Sequence, residues 1–145
     1  MRKEASLAFL LLACGLLLGL SSPSPANTAN NQDQSHETKA TIEGLVRDIA
    51  CPIQNPESTA AHLSMKCLLA CAKQGSPLVI LTKDGELYLP ISNQMPDTDQ
   101  RSRLKPFLGK YVRATGIVYE GKGMRAIVIS EIKEVKGVHL TIEDH

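Results

Sequence analysis

Apart from Cys14, every cysteine of the chain lies in one short stretch, residues 51–71, CPIQNPESTAAHLSMKCLLAC. The stretch contains Cys51, Cys67 and Cys71 and a single histidine, His62. An export-type sequence and one strand pattern precede this stretch, and regular strand patterns follow it. The stretch therefore separates the first predicted strand of the domain from the others. Thiolate sulfur and imidazole nitrogen are common protein ligands for soft and borderline metal ions. The chemistry of the chain is therefore expected in this stretch.

The N-terminus has the features of a secretory signal over residues 1–26: a basic start, an apolar run over residues 5–20 and small residues up to Ala26. The run is short for a membrane-spanning helix, which needs about 20 residues, although a short anchor helix is an alternative. A second alternative is a lipoprotein signal, because Leu-Leu-Ala-Cys14 resembles a bacterial lipobox whose cysteine is lipidated. We therefore expect an exported, periplasmic protein or a membrane-anchored lipoprotein.

After the signal, the sequence predicts a linker, one domain and a tail. Residues 27–40 are polar, which predicts a disordered linker. Residues 41–137 are expected to form one domain, and residues 138–145 a flexible tail. The 16 basic and 15 acidic side chains nearly balance and there is no Trp. Because nucleic-acid binders use basic surfaces and aromatic stacking, we expect no nucleic-acid partner. Membrane contact is expected only through a lipidated Cys14.

Apolar periodicity and turn residues predict a mainly β domain. Strands are expected at residues 41–48, 78–82, 87–91, 110–119 and 124–132, with an Asp-Gly hairpin turn at residues 84–85. A helix capped by Thr59 or Ser64 is predicted to end at Gly75, and a short helix to run from Asp97 to Lys105. Five strands with a helix between the third and fourth predict a five-stranded OB-like barrel with a Cys/His loop-helix insertion after strand 1. Another small α+β sheet is the alternative.

Several segments carry a resemblance to a known group of proteins. They are GLVRDIAC from Gly44 to Cys51, His62, the C-x3-C of Cys67 and Cys71, and GKYVRATG from Gly109 to Gly116. Together they resemble a family of small exported bacterial OB-fold-like proteins, over about residues 42–135. The resemblance implies export and the barrel fold but no activity. Pro52 departs from the family pattern, in which a small glycine is commoner after the first cysteine.

The first hypothesis for the cysteine stretch is a metal site of Cys51, His62, Cys67 and Cys71, which suits tetrahedral Zn²⁺ or, through soft thiolates, Cu(I). Cys67 and Cys71 lie one helical turn apart, so both can address one ion. Asp48 is a candidate acceptor that would orient His62. The spacing is not that of a standard zinc finger. Four protein ligands would make a closed structural site, whereas three would leave an open position.

The second hypothesis is a disulfide from Cys51 to Cys67 or Cys71, contributing on the order of 3 kcal/mol and leaving one thiol free. A Cys67–Cys71 bond is disfavoured because both residues share one helix. The third is an interaction module that uses the barrel face, where a basic cluster would suit an anionic ligand. This cluster comprises Arg101, Arg103, Lys105, Lys110 and Arg113. No Cys-x-x-Cys pair and no Gly-x-Ser-x-Gly motif is present, so we expect a non-enzymatic binding protein.

Overall fold

The computed structural model describes residues 36–143, so Cys14, the predicted signal and most of the predicted linker lie outside the described residues. The strands are β1 His36–Asp48, β2 His62–Ser64, β3 Leu78–Thr82, β4 Leu87–Pro90, β5 Tyr111–Gly121, β6 Met124–Glu134 and β7 Thr141–Glu143. The helices are α1 Ala50–Gln54, α2 Met65–Lys73 and α3 Arg101–Leu104, followed by a 3₁₀ turn at Lys105–Phe107. None of the helices within residues 36–143 is long and apolar enough to cross a membrane.

Five of the strands close into a barrel in the order β1-β3-β4-β6-β5, with β5 pairing back to β1. All neighbours are antiparallel except β4 and β6, which are parallel. The short α3 and its 3₁₀ turn connect β4 to β5. This arrangement confirms the predicted OB-like barrel, with the cysteine-bearing insertion between β1 and β3.

Strand β1 serves both halves of the barrel and changes partner at Gly44. Residues 36–45 pair with β5, and residues 44–48 pair with β3. A Cβ atom at Gly44 would collide with the backbone carbonyl of Leu81. Only glycine allows this close approach, which explains why a glycine interrupts the apolar pattern where the strand bends between two partners.

The structure corrects two predicted boundaries. β1 begins at His36, so residues 36–40 are strand and not disordered linker. Their side chains are mostly exposed, and they are ordered by backbone pairing with β5, which needs no apolar face. In the predicted flexible tail, β7 pairs in parallel with β2, with Ile142 opposite Leu63. Hydropathy patterns do not reveal such pairing because the partner strand lies far away in the sequence.

Two clusters of buried side chains lie on opposite faces of β1. Val46 packs inside the barrel with Ile80 and Val112. Its neighbour Leu45 points the other way, as successive strand residues must, and joins a second cluster with Leu68 of α2. Burying a leucine side chain contributes about 1.5–3 kcal/mol. The second cluster therefore fixes α2, and the cysteines it carries, against the outside of the barrel.

Candidate metal centre

Helix α2 positions two of the three cysteines. It starts after Ser64, whose side chain accepts a hydrogen bond from the backbone N–H of Cys67 at 3.3 Å, which confirms one of the two predicted caps. Leu68 faces the barrel and is fully buried. Cys67 is exposed and Cys71 half-buried, one turn further along the same helix. The cap and the buried leucine thus set the direction in which both thiols project.

Cys51 comes from the other side of the site. β1 ends at Asp48, whose carboxylate Oδ2 accepts a hydrogen bond from the Cys51 backbone N–H at 2.9 Å. The next residue, Ile49, donates its N–H to the Pro77 carbonyl at 3.0 Å. The sequence predicts a loop here, but residues 50–54 form the short helix α1, with Pro52 in its first turn, where proline is tolerated. Cys51 is therefore held at the end of a buried strand.

The three sulfur atoms lie within 4.8 Å of one another, and those of Cys51 and Cys67 are 3.1 Å apart. Thiolates on a tetrahedral Zn²⁺ with bonds of about 2.3 Å would lie about 3.8 Å from each other. A disulfide needs a sulfur–sulfur distance of about 2.05 Å, and all three residues are free cysteines in the structure. The cluster of Cys51, Cys67 and Cys71, here called the thiol cluster, can therefore hold a metal ion.

His62 does not belong to the thiol cluster. Its Nε2 atom lies 2.8 Å from Oε1 of Glu143 on β7, and its Nδ1 atom lies 3.0 Å from the backbone carbonyl oxygen of Glu57. The hydrogen bond to the Glu57 carbonyl, and next the one to Glu143, raise the pKa of His62 above its usual range. The structure thus brings together three of the four predicted ligands and places the fourth in an ion pair.

Asp48 also has a partner other than the predicted one. It binds the Cys51 backbone and makes no hydrogen bond to His62. The carboxylate is fully buried, and its second oxygen, Oδ1, has no hydrogen-bond partner among residues 36–143. Its negative charge acts on the thiol cluster, where it contributes to raising the pKa of Cys51 and of Cys71.

Burial and the Asp48 carboxylate both favour the protonated form of the thiols. Burial, followed by hydrogen bonds to Cys67 and Asp48, raises the pKa of the Cys51 thiol to about 12. Burial and then the negative charge of Asp48 also raise the pKa of Cys71. In the absence of a metal these two groups are neutral at physiological pH, so an ion that binds here must displace their protons.

Sequence reasoning missed two residues near the thiol cluster, Glu143 and Arg47. Glu143 is 81 positions from the histidine it contacts and lies in a segment predicted to be a flexible tail. Arg47 is 1% exposed, although it carries a charge. The only local signal was its position in the otherwise apolar run before Asp48. Arg47, Cys51, His62, Cys67 and Glu143 line one cavity of about 520 Å³.

The predicted basic cluster is largely neutralised. Arg101 pairs with Asp99, Lys110 with Glu134, and Arg113 with Glu43. Arg103 donates to the backbone carbonyl of Ser130. These contacts use most of the charge that an anionic ligand would need, so the cluster is not a strong candidate site.

Comparison with protein-family models, with curated proteins and with solved structures gave no match for the chain. The resemblance to small exported OB-fold-like proteins stays a prediction. The fold defines a small OB-like barrel, and the site defines a surface cluster of three thiols.

Proposed function

We propose that this protein is an exported, non-enzymatic binding protein that takes one Zn²⁺ or Cu(I) ion at the thiol cluster. The observation that carries the proposal is the convergence of three sulfur atoms from α1 and α2 within 4.8 Å. Two thiols one helical turn apart meet in many folds, but the third comes from a separate element fixed by Asp48. Thiolates favour Zn²⁺ and Cu(I) over harder cations such as Mg²⁺.

The surroundings of the cluster suit metal binding. The buried, unpartnered Oδ1 atom of Asp48 places negative charge beside the sulfur atoms. That charge opposes thiol ionisation when the site is empty, and it favours a bound cation. Three protein ligands leave one position of a tetrahedral ion open, which is typical of sites that exchange ligands rather than of closed structural sites. Cys67 is exposed, so the ion would be accessible from solvent.

The experiment is anaerobic purification of residues 27–145, followed by elemental analysis and thiol titration before and after chelation. One equivalent of zinc or copper, with three thiols reactive only after chelation, supports the proposal. Each of Cys51→Ser, Cys67→Ser and Cys71→Ser should lower metal affinity by at least about tenfold, because the loss of one ligand costs more than 1.4 kcal/mol. Lys66→Ser, which changes an exposed neighbour on α2, is the matched control and should bind as the wild type does.

The alternative is a disulfide-stabilised interaction module with no metal, in which the sulfur atoms of Cys51 and Cys67 would have to close from 3.1 Å to a bond length of about 2.05 Å. In that case the anaerobic protein contains no metal, and protein isolated from the cell envelope has one reactive thiol and a mass lower by two hydrogen atoms. That result would exclude the thiol cluster as a metal site.

Export is the second part of the proposal, and it is supported by the signal-like residues 1–26. The intact mass of the native protein separates the two forms of export. Cleavage after Ala26 gives a soluble protein, whereas a diacylglyceryl group on Cys14 gives a lipoprotein. A mass that includes the whole of residues 1–26 would contradict both.

A further inference from the structure

Arg47 is a buried cation without an anionic partner among residues 36–143. Its Nη1 atom donates to the carbonyl oxygen of Thr59 at 3.1 Å and, at the limit of hydrogen-bond distance, to that of His62 at 3.5 Å. Its Nε atom is buried and has no acceptor. A guanidinium stays charged at any physiological pH, and buried charges are normally paired. Within the described part of the chain, its acceptors are two neutral carbonyls, which do not compensate the charge.

Asp48 does not supply the missing charge. It follows Arg47 in β1, and successive strand residues point to opposite faces. Its Oδ2 atom accepts from the Cys51 backbone, and its Oδ1 atom has no hydrogen-bond partner, so neither oxygen meets the guanidinium. Two buried groups of opposite charge, each with unused hydrogen-bonding atoms, therefore lie on either side of the same strand end.

The arginine faces a cavity that also reaches the thiol cluster. The cavity has a volume of about 520 Å³, within the range of roughly 300–1,000 Å³ that is common for small-molecule sites. Cys51 and Cys67 of the thiol cluster line it as well. Of the two glutamates on its walls, Glu143 is bound by His62 and Glu57 is exposed to solvent. Arg47 is thus the wall group with unsatisfied charge, and an anion is the ligand that would satisfy it.

We propose that the cavity binds a small molecule carrying both a carboxylate and a thiol. The carboxylate is held by Arg47, whose planar guanidinium suits a carboxylate's two oxygens. The thiol loses its proton to solvent and binds, as thiolate, the metal position that the three cysteines leave open. This inference rests on the proposed metal site and identifies the class of ligand that completes it.

The test uses zinc-loaded protein and three kinds of probe in calorimetric titrations. A series of mercaptocarboxylates from mercaptoacetate to mercaptobutyrate supplies both groups, mercaptoethanol supplies only the thiol, and acetate only the carboxylate. The best mercaptocarboxylate should bind at least about tenfold more tightly than either single-group probe, because only it makes the metal–thiolate bond and the hydrogen-bonded charge pair together. Equal affinity for mercaptoethanol and every mercaptocarboxylate would overturn the inference.

Variants of Arg47 test whether this arginine causes the preference for mercaptocarboxylates over mercaptoethanol. Arg47→Gln should abolish the preference over mercaptoethanol, while Arg47→Lys, which keeps the charge, should retain part of it. Glu57→Gln changes another side chain of the same cavity and should not reduce the preference. A preference that survives in a folded Arg47→Gln protein would place the carboxylate elsewhere and contradict the proposal.

Zinc content, measured in every sample, separates the two levels of inference. If the wild-type protein holds one zinc but shows no preference for mercaptocarboxylates over mercaptoethanol, only the ligand proposal is contradicted. If the protein takes up no zinc, both the metal site and the ligand proposal are contradicted. An Arg47 variant is interpreted only if its zinc content and circular dichroism match those of the wild type. If Arg47→Gln does not fold, Arg47→Lys tests the proposal, and its preference for the mercaptocarboxylate should be smaller than that of the wild type.

Discussion

The barrel and the cysteine segment, residues 50–73, are stabilised in different ways. Every barrel strand is hydrogen-bonded to two neighbours, and strands such as β3 are buried almost throughout. The cysteine segment has two short helices, of which α1 has no buried residue and α2 has one, Leu68. Ala60 and Leu63, between the two helices, are buried in the same cluster as Leu68. Beyond these three side chains, the segment depends on single polar contacts and on the three-residue pairing of β2 with β7. The barrel is therefore held by continuous backbone pairing, whereas the segment has fewer contacts and would gain most from a bound ion.

The candidate metal centre therefore lies in the cysteine segment, where the structure is less constrained than in the barrel. Buried strands tolerate few polar side chains, so thiols that must exchange protons and metal ions are better placed at the surface. The barrel contributes the rigid strand end that carries Arg47 and Asp48, and the segment contributes the sulfur atoms. Substitutions should then divide into those that unfold the barrel and those that loosen only the segment.

The largest effect is expected from Gly44→Val. The added side chain would collide with the Leu81 backbone where β1 changes partner, and neither strand can move without breaking pairing. We expect a loss of at least about 3 kcal/mol in the free energy of unfolding, above the usual range for overpacking. Chemical denaturation followed by circular dichroism measures it.

Gly85→Ala is the control for that substitution. Its Cβ would meet open space, and only its φ of +83° would be strained, so the loss should be about 1 kcal/mol. Equal losses for the two variants would show that the barrel bend is not tightly constrained.

Leu68→Ala tests the attachment of the segment to the barrel. Leu68 is fully buried in the cluster that includes Leu45, Leu81 and Tyr111, and its truncation should cost about 2–4 kcal/mol. Hydrogen exchange should show that protection falls mainly in α2 while the barrel strands keep theirs. Leu69→Ala, at a position 52% exposed on the same helix, should change stability by less than about 0.5 kcal/mol. Uniform loss of protection would mean that barrel and segment unfold together.

Ser64→Ala should have a smaller and purely local effect. It removes the acceptor of the Cys67 backbone N–H at the start of α2, which is expected to cost about 1 kcal/mol. Thermal unfolding measures the loss, and thiol alkylation should be faster at Cys67 because the first turn frays. Ser102→Ala, at an exposed position in α3, is the comparison and should leave both quantities unchanged.

The smallest effect concerns His62 and Glu143, which join the cysteine segment to β7. Because the folded protein raises the pKa of His62 above 6.5, the resulting stabilisation is complete below pH 6.5 and is lost as the pH rises through the higher folded value. Glu143→Gln should weaken this pH dependence, and His62→Gln should remove it. Denaturation across this pH range tests the prediction.

His139→Gln, which removes an exposed histidine before β7, is the control for loss of an imidazole. It should leave the pH dependence intact. A wild-type protein whose stability rises with pH over the same range would contradict the assigned role of the ion pair.

Local patterns predicted those elements whose determinants are close in sequence. The Asp-Gly turn appears between β3 and β4, with Gly85 at positive φ and Thr82 accepting from its N–H. Ser64 caps α2, and the two cysteines of that helix meet on one face. By contrast, the strand at residues 36–40 and the β2–β7 pairing depend on partners far along the chain, and their side chains carry no regular pattern.

The candidate site shows the same limit. The cysteines stand out in the sequence, so all three are predicted correctly as members of the cluster, but proximity in sequence wrongly adds His62 to them. In the folded chain a glutamate from β7 occupies its Nε2 atom.

By itself, the sequence determined the barrel and the identity of the thiols, because strand periodicity, turn residues and cysteines act through neighbouring positions. Only the tertiary structure decided that Cys51 lies beside Cys67 and Cys71, that Glu143 binds His62, and that Arg47 is buried with no acidic partner within residues 36–143. The physical reason is that contacts between distant segments are set by the packing of the whole barrel, which no local stretch of sequence encodes.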